Sequence, residues 1–165
     1  MLVTNMSKKI KNIITGLVVL CGLVAVFFYI NDPLETVVNN IILKPNDKVI
    51  TSLGKEIYTN NCASCHGKNL EGQPNWRERN DAGYLPAPPH DKTGHTWHHS
   101  DAYLFQITKY GLEELIGEKY PNNMPAYKET LSDEEIIASL SYIKSMWSKS
   151  IQNKHDKINS RSNAK

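Results

Sequence analysis

The sequence predicts an all-α protein: one domain of short helices, preceded by a single N-terminal transmembrane helix. Two observations predict it. After residue 46, three segments carry apolar residues at helical spacing behind side chains that cap helix starts. Before it, residues 13–30 run for 18 positions without a charge, behind Lys8, Lys9 and Lys11. The 165 residues suffice for one core with extensions. A 40% hydrophobic and 22% charged composition excludes a disordered polyanion, a collagen-like chain and a polytopic membrane protein. Three cysteines are too few and too odd in number for a disulfide-stapled scaffold, so each is read by its position.

The first element is the apolar run IITGLVVLCGLVAVFFYI. A helix of that length just crosses about 30 Å of hydrocarbon. Lysines before it and Asp32 and Glu35 after it place the N-terminus in the cytoplasm and send the remainder outward. The expected location is the bacterial inner membrane, with the C-terminal domain facing the periplasm. A cleaved signal peptide fits less well, because the run is long and FFYINDPLE offers no small-x-small site. Cys21, preceded by the bulky Leu20, reads as an apolar filler of the anchor. Residues 1–30 are therefore the head, and residues 31–46 are a linker bracketed by Pro33 and Pro45. The linker's pattern fits a strand, a helical turn or a strap on the domain.

The domain proper spans residues 47–147. Its first helix is NDKVITSLGKEIYTNNC, with Asp47 as N-cap and Ile50, Leu53, Ile57 and Tyr58 on one apolar face. Gly54 lies on or beside that face, where a missing side chain admits a second helix. The middle helix is SDAYLFQITKYG, capped by Ser100 and closed by Gly111 in a left-handed position, with Leu104, Phe105 and Ile107 as its apolar residues. The last helix is TLSDEEIIASLSYIKSMW, where Ser132 and Glu135 make a capping box and Ile136, Leu140, Ile143 and Trp147 make the buried stripe. Residues 148–165 lack an apolar stripe and read as a disordered basic tail.

The chemistry begins at Cys62-Ala63-Ser64-Cys65-His66, a C-x-x-C-H run of the kind that attaches haem covalently. Two thiols three positions apart add to the two vinyl groups of one porphyrin, and the histidine after them meets the iron. A thioredoxin-like pair would want a βαβ context, and a closed zinc site wants four Cys or His ligands. Only two cysteines lie outside the head, although His90, His95, His98, His99 and His155 are available in principle.

With these pieces in place, the region from Asp47 to Trp147 resembles a class I, mono-haem c-type cytochrome in its membrane-anchored bacterial form. The resemblance implies a cytochrome c fold of three to five short helices around one covalently attached haem c. It pairs Gly54 with Tyr142 where the first and last helices cross. It matches YPNNMPAY to the family's Met-Pro motif and so implies Met124 as second axial ligand. Met1 and Met6 lie in the head and Met146 lies in the last helix, which leaves Met124 as the methionine in a loop after the middle helix. Pro125 holds Met124 extended. Cys62, Cys65, His66 and Met124 are thus the cofactor-binding residues, with His66 and Met124 on the metal. A His/Met pair raises the reduction potential and leaves no open position on the iron, so the implied role is electron transfer and not catalysis. The family also implies a loop carbonyl that accepts the proton of the axial histidine, placed here in GYLPAPPHD. Trp76, Arg77, Arg79 and Trp97 are candidates for propionate contacts. Implied partners are redox proteins, such as a bc-type donor and a terminal oxidase or reductase, with the membrane engaged by the N-terminal helix and no nucleic acid. Rival readings are the electron-entry subunit of a larger oxidoreductase, a haem enzyme or sensor with a labile sixth ligand, and copper handling by the loop of His90, His95, His98 and His99.

Charge divides the chain similarly. Residues 1–30 carry +3, residues 31–147 carry 11 bases and 16 acids for −5, and residues 148–165 carry +4. The acidic body is suited to steering a partner with a basic face.

Overall fold

The computed structural model describes residues 8–30, 41–117 and 119–162. The chain divides into two units, Met1–Val37 and Val38–Lys165. In the first, α1 spans Lys8–Ile30. Its helical state agrees with the sequence reading, but the expected membrane span does not stand. Among the described residues, no helix is long and apolar enough to cross a membrane. Lys8, Lys9 and Lys11 charge its first turn, and the charge-free remainder, residues 13–30, makes about 27 Å of helix against about 30 Å of hydrocarbon. The transmembrane part of the fold class, and the inner-membrane, periplasm-facing location drawn from it, are corrected accordingly. Of the linker, residues 31–40 lie outside the described residues.

The second unit contains α2 (Lys48–Asn61), α3 (Ala63–His66), a 3-10 turn (Thr96–His98), α4 (Asp101–Tyr110), α5 (Leu112–Ile116), α6 (Asp133–Ser145) and α7 (Lys149–Ser162). Asp47 caps α2 by accepting from the backbone N–H groups of Val49 and Ile50. Ser100 caps α4 through the Tyr103 N–H, and Ser132 and Glu135 close a reciprocal box at the start of α6. The caps fall where the sequence places them because each satisfies N–H groups that have no partner inside the helix.

The helices α2 and α6 make the densest packing in the unit. It is possible because Gly54 has no side chain: a Cβ there would collide with the Ala138 carbonyl oxygen and lie 3.0 Å from the Tyr142 Cβ. Ile136, Leu140, Ile143 and Trp147 are buried, as their spacing requires. On α2, Ile57 and Tyr58 are buried while Leu53 is 43% exposed, so the contact face is centred on the glycine and not on the leucine. Leu104 and Phe105 of α4 complete the core. At the end of α4, Gly111 has φ +86 and ψ 164, a positive-φ conformation different from the expected left-handed one.

Two segments depart from expectation. Residues 41–44 form a strap: Ile41 and Leu43 are buried, the Leu43 N–H donates to Asp101 Oδ2 at 2.9 Å, and the Lys44 N–H donates to Ser141 Oγ at 2.9 Å. The tail expected to be disordered is instead helix α7, with Gln152 and His155 buried. Its inward residues are polar. Lys144 Nζ lies 2.8 Å from Asp156 Oδ1 and 3.7 Å from Asp101 Oδ1, and His155 Nε2 lies 3.5 Å from that same oxygen. Gln152 Nε2 donates to the carbonyls of Lys144 and Trp147, and Asn159 Oδ1 accepts the Asp101 N–H. An ionic and hydrogen-bonded seam does here what an apolar stripe does elsewhere.

Candidate haem-attachment site

Helix α2 ends at Asn61, and Cys62 both closes it and opens the single turn α3. That arrangement puts Cys62, Cys65 and His66 on a single turn of one short rod. Cys62 is half-buried and Cys65 exposed, and neither is in a disulfide. Burial, reinforced by the neighbouring Cys65, pushes the Cys62 thiol up to about 11. His66 is buried, and its Nδ1 lies 2.9 Å from the Pro88 carbonyl oxygen. The donor in this pair is Nδ1–H, because a carbonyl can only accept, so the proton sits on Nδ1 and the Nε2 lone pair is left for a metal. Burial lowers the His66 pKa and outweighs the opposing effect of the Pro88 hydrogen bond, which keeps the imidazole neutral near pH 7.

The Pro88 carbonyl is brought there by a close backbone approach. Gly72 has φ +68, and a Cβ on it would lie 2.5 Å from Pro89 N and 2.7 Å from the Pro88 carbonyl carbon. The loop is further tied by Gln73 N–H to Ala87 O at 2.9 Å and His90 N–H to Leu70 O at 2.8 Å. The expected loop carbonyl is therefore that of Pro88. Its sequence signal was the cluster Pro86, Pro88 and Pro89, which marks a stiff loop without telling one carbonyl from another.

Met124 is half-buried in an irregular segment, and its N–H donates to Asn122 Oδ1 at 3.1 Å. The segment is anchored three residues later. Tyr127 N–H donates to Thr108 O at 3.1 Å, Lys128 N–H donates to Lys109 O at 2.9 Å, and the Tyr127 hydroxyl donates to Asn61 O at 2.8 Å, next to Cys62. Burial, with smaller contributions from Cys62 and Cys65, pushes the Tyr127 hydroxyl up to about 12. Tyr127 thus bridges the end of α4 to the start of the C-x-x-C-H turn, a role its position in YPNNMPAY did not disclose.

Of the residues named for propionate contacts, Arg77 sits over the Trp76 ring at 3.9 Å, and Arg79 Nη1 donates to Gly83 O at 2.6 Å. Trp97 differs from them: its indole N–H is buried without a protein acceptor. Such a donor suits a carboxylate brought in by a cofactor. Together with two unpaired thiols and a histidine whose Nε2 is unprotonated, it makes a donor set that fits haem c. Among the described residues, no group of three or more His, Cys, Asp or Glu side chains is arranged to hold a metal ion, which leaves the copper reading of the histidine loop without support. Those histidines make ring contacts instead. His95 stacks on Trp76 at 5.4 Å, and His99 stacks on Tyr103 at 4.6 Å.

Compared with known proteins, the chain matches the family model described as cytochrome c over residues 51–147. No curated protein and no solved structure matches it.

Proposed function

The chain belongs to the cytochrome c family, and on that premise we propose a carrier of single electrons whose haem c is bound through Cys62 and Cys65 and whose iron is ligated by His66 and Met124. The observation that carries the proposal is the Nδ1–H of His66 on the Pro88 carbonyl at 2.9 Å, which fixes the tautomer and the place of Nδ1 and leaves Nε2 for ligation. When bound, the haem supplies a one-electron couple. The protein's part is to hold, shield and tune it. His66 is kept neutral by burial. Pro125 keeps Met124 extended, and Asn122 and Tyr127 fix the backbone on either side of it. Tyr58, Leu104 and Phe105, all buried, belong to the core cluster against which Cys62 packs, and that cluster gives a ring attached there an apolar side shielded from water. A soft thioether favours the reduced iron, and two protein ligands leave no position for oxygen, peroxide or substrate. Redox proteins are the partners that a carrier of this family requires.

The test is spectroscopic. The oxidised protein is expected to be low-spin with a sulfur-to-iron charge-transfer band in the near infrared. Met124→Ala loses that band and gains carbon monoxide binding in the reduced state, while Met124→His stays low-spin at a lower potential. A wild-type protein that is high-spin when reduced and binds carbon monoxide readily overturns the carrier reading in favour of a haem enzyme or sensor.

A further inference from the structure

His90 is a residue that neither the motif nor the family match singles out, and it is held more firmly than an ordinary loop side chain. Its ring stacks on that of His66, with centroids 4.0 Å apart and planes 22° from parallel. Its Nδ1 lies 2.7 Å from Thr96 Oγ1, and its N–H donates to Leu70 O at 2.8 Å. Its own carbonyl accepts the Trp147 indole N–H at 2.7 Å, and Tyr58 meets its ring edge-on with centroids 6.4 Å apart. Side chain, backbone donor and backbone acceptor are therefore all fixed, and the partners come from four separate parts of the chain.

We propose that His90 is a positioning residue for the axial histidine: it fixes the plane of the His66 ring by stacking, and the Trp147 indole N–H holds it in register. The two constraints on His66 are complementary. The Pro88 hydrogen bond fixes where Nδ1 lies but leaves the imidazole free to tilt about the Nδ1···O line. A parallel ring 4.0 Å away removes that tilt, because tilting drives one edge into the neighbour. Both constraints belong to one stiff loop, with Pro88 and His90 two residues apart and Pro89 buried between them.

The chain of contacts continues outward. Trp147 is buried, and His155 of α7 meets its ring edge-on with centroids 5.0 Å apart, while Gln152 binds the Trp147 carbonyl at 3.1 Å. Helix α7 lies beyond the matched residues 51–147, so the brace behind the ligand includes a part of this chain that the family match does not cover. Outer partners of metal-bound histidines generally set ring orientation and ligand basicity, and losing one costs roughly tenfold or more in metal affinity or activity.

This inference rests on His66 being an iron ligand, as proposed above. The experiment compares the wild-type protein with His90→Ala, His90→Phe and Trp147→Phe by electron paramagnetic resonance of the oxidised protein and by redox titration. In His90→Ala the low-spin g-values shift, because the ring plane is released. The midpoint potential falls by about 59 mV, a tenfold change in the one-electron equilibrium, since water reaching His66 favours the more highly charged oxidised iron. His90→Phe retains a flat ring and restores the wild-type g-values. Trp147→Phe keeps a buried aromatic ring, removes the N–H together with part of the indole, and shifts the g-values in the same sense as His90→Ala. Wild-type g-values and potential in His90→Ala overturn the proposal. If His90→Ala does not accumulate as a haem protein, Trp147→Phe decides: a shift upholds the brace and wild-type values overturn it. A wild-type signal without a histidine ligand instead overturns the His66 assignment, and this inference with it, so the two failures are told apart.

Discussion

Replacing Gly54 by alanine is expected to destabilise the domain by about 3 kcal/mol, the upper part of the range for inserting one methyl group into a packed interface. The new Cβ would overlap the Ala138 carbonyl oxygen, a backbone atom of α6 that no rotamer change can move aside. Relief requires α2 and α6 to separate, and these two helices share the densest packing of the unit. Separation also draws Tyr58 from Tyr142, whose ring centroids lie 5.5 Å apart across the crossing. Because α2 leads directly into Cys62, the displacement reaches the attachment turn as well. A melting temperature about 10 °C below wild type is the expected readout by circular dichroism, with Ser52→Ala, an exposed change on the same helix, as a control near wild type. A Gly54→Ala protein that melts within a few degrees of wild type would show that α2 slides at no cost and that the glycine is incidental.

The same glycine shows how far the sequence could be read. Its position beside an apolar face marked a place where a second helix can approach closely, while the partner at the crossing, Tyr142, was what the family resemblance implied. Asp47, Ser100 and Ser132 were legible for a similar local reason: a cap is a relation between residues two or three positions apart. The C-x-x-C-H run was legible because both thiols and the imidazole lie within five positions. What escaped reading was long-range or carried by backbone. The Pro88 carbonyl has no side-chain signature, and the His66–His90 stack joins residues 24 positions apart whose contact only the folded loop reveals. Tyr127 looked like part of a methionine motif and proves to be a tie between helices. Helix α7 has no sequence signature because it lacks a run of apolar residues at helical spacing. Its inward positions, Gln152, His155 and Asn159, keep that spacing with polar side chains whose partners lie on α4 and α6. The membrane span departs in the other direction: an 18-residue run without charge, flanked by lysines and acids, marks a crossing helix in sequence, yet among the described residues no helix is long and apolar enough to cross a membrane.

Lys144→Met is expected to cost about 3–5 kcal/mol at pH 8, more than any surface ion pair would, because it strands a buried carboxylate. The Asp101 and Lys144 side chains are only 6% and 5% exposed, and Lys144 Nζ serves both Asp101 at 3.7 Å and Asp156 at 2.8 Å. Methionine preserves the length and most of the volume of lysine, so the loss is electrostatic. Asp101 then retains the Leu43 N–H at 2.9 Å and the His155 ring at 3.5 Å. A pH dependence follows. In the wild type, burial first and Lys144 second hold the His155 pKa below its ordinary value, against the opposing pull of Asp101 and Asp156. Between the folded and unfolded pKa values the unfolded chain binds the extra proton, so wild-type stability from this group is present above about pH 6.5 and is lost as pH falls. Removing the Lys144 charge leaves burial as the influence that lowers the pKa. The His155 imidazolium then takes over as counter-ion to Asp101, and acidification costs the variant less than it costs the wild type. Urea unfolding at pH 8.0 and pH 5.5 should therefore show a gap between the two proteins that narrows at the lower pH. Asp101→Asn combined with Lys144→Met should recover part of the deficit at pH 8.0, since the stranded charge is gone. A gap that stays constant with pH would mean that His155 and Asp101 are not coupled, and that α7 is held by its other ties, Gln152, Asn159 and Asp156.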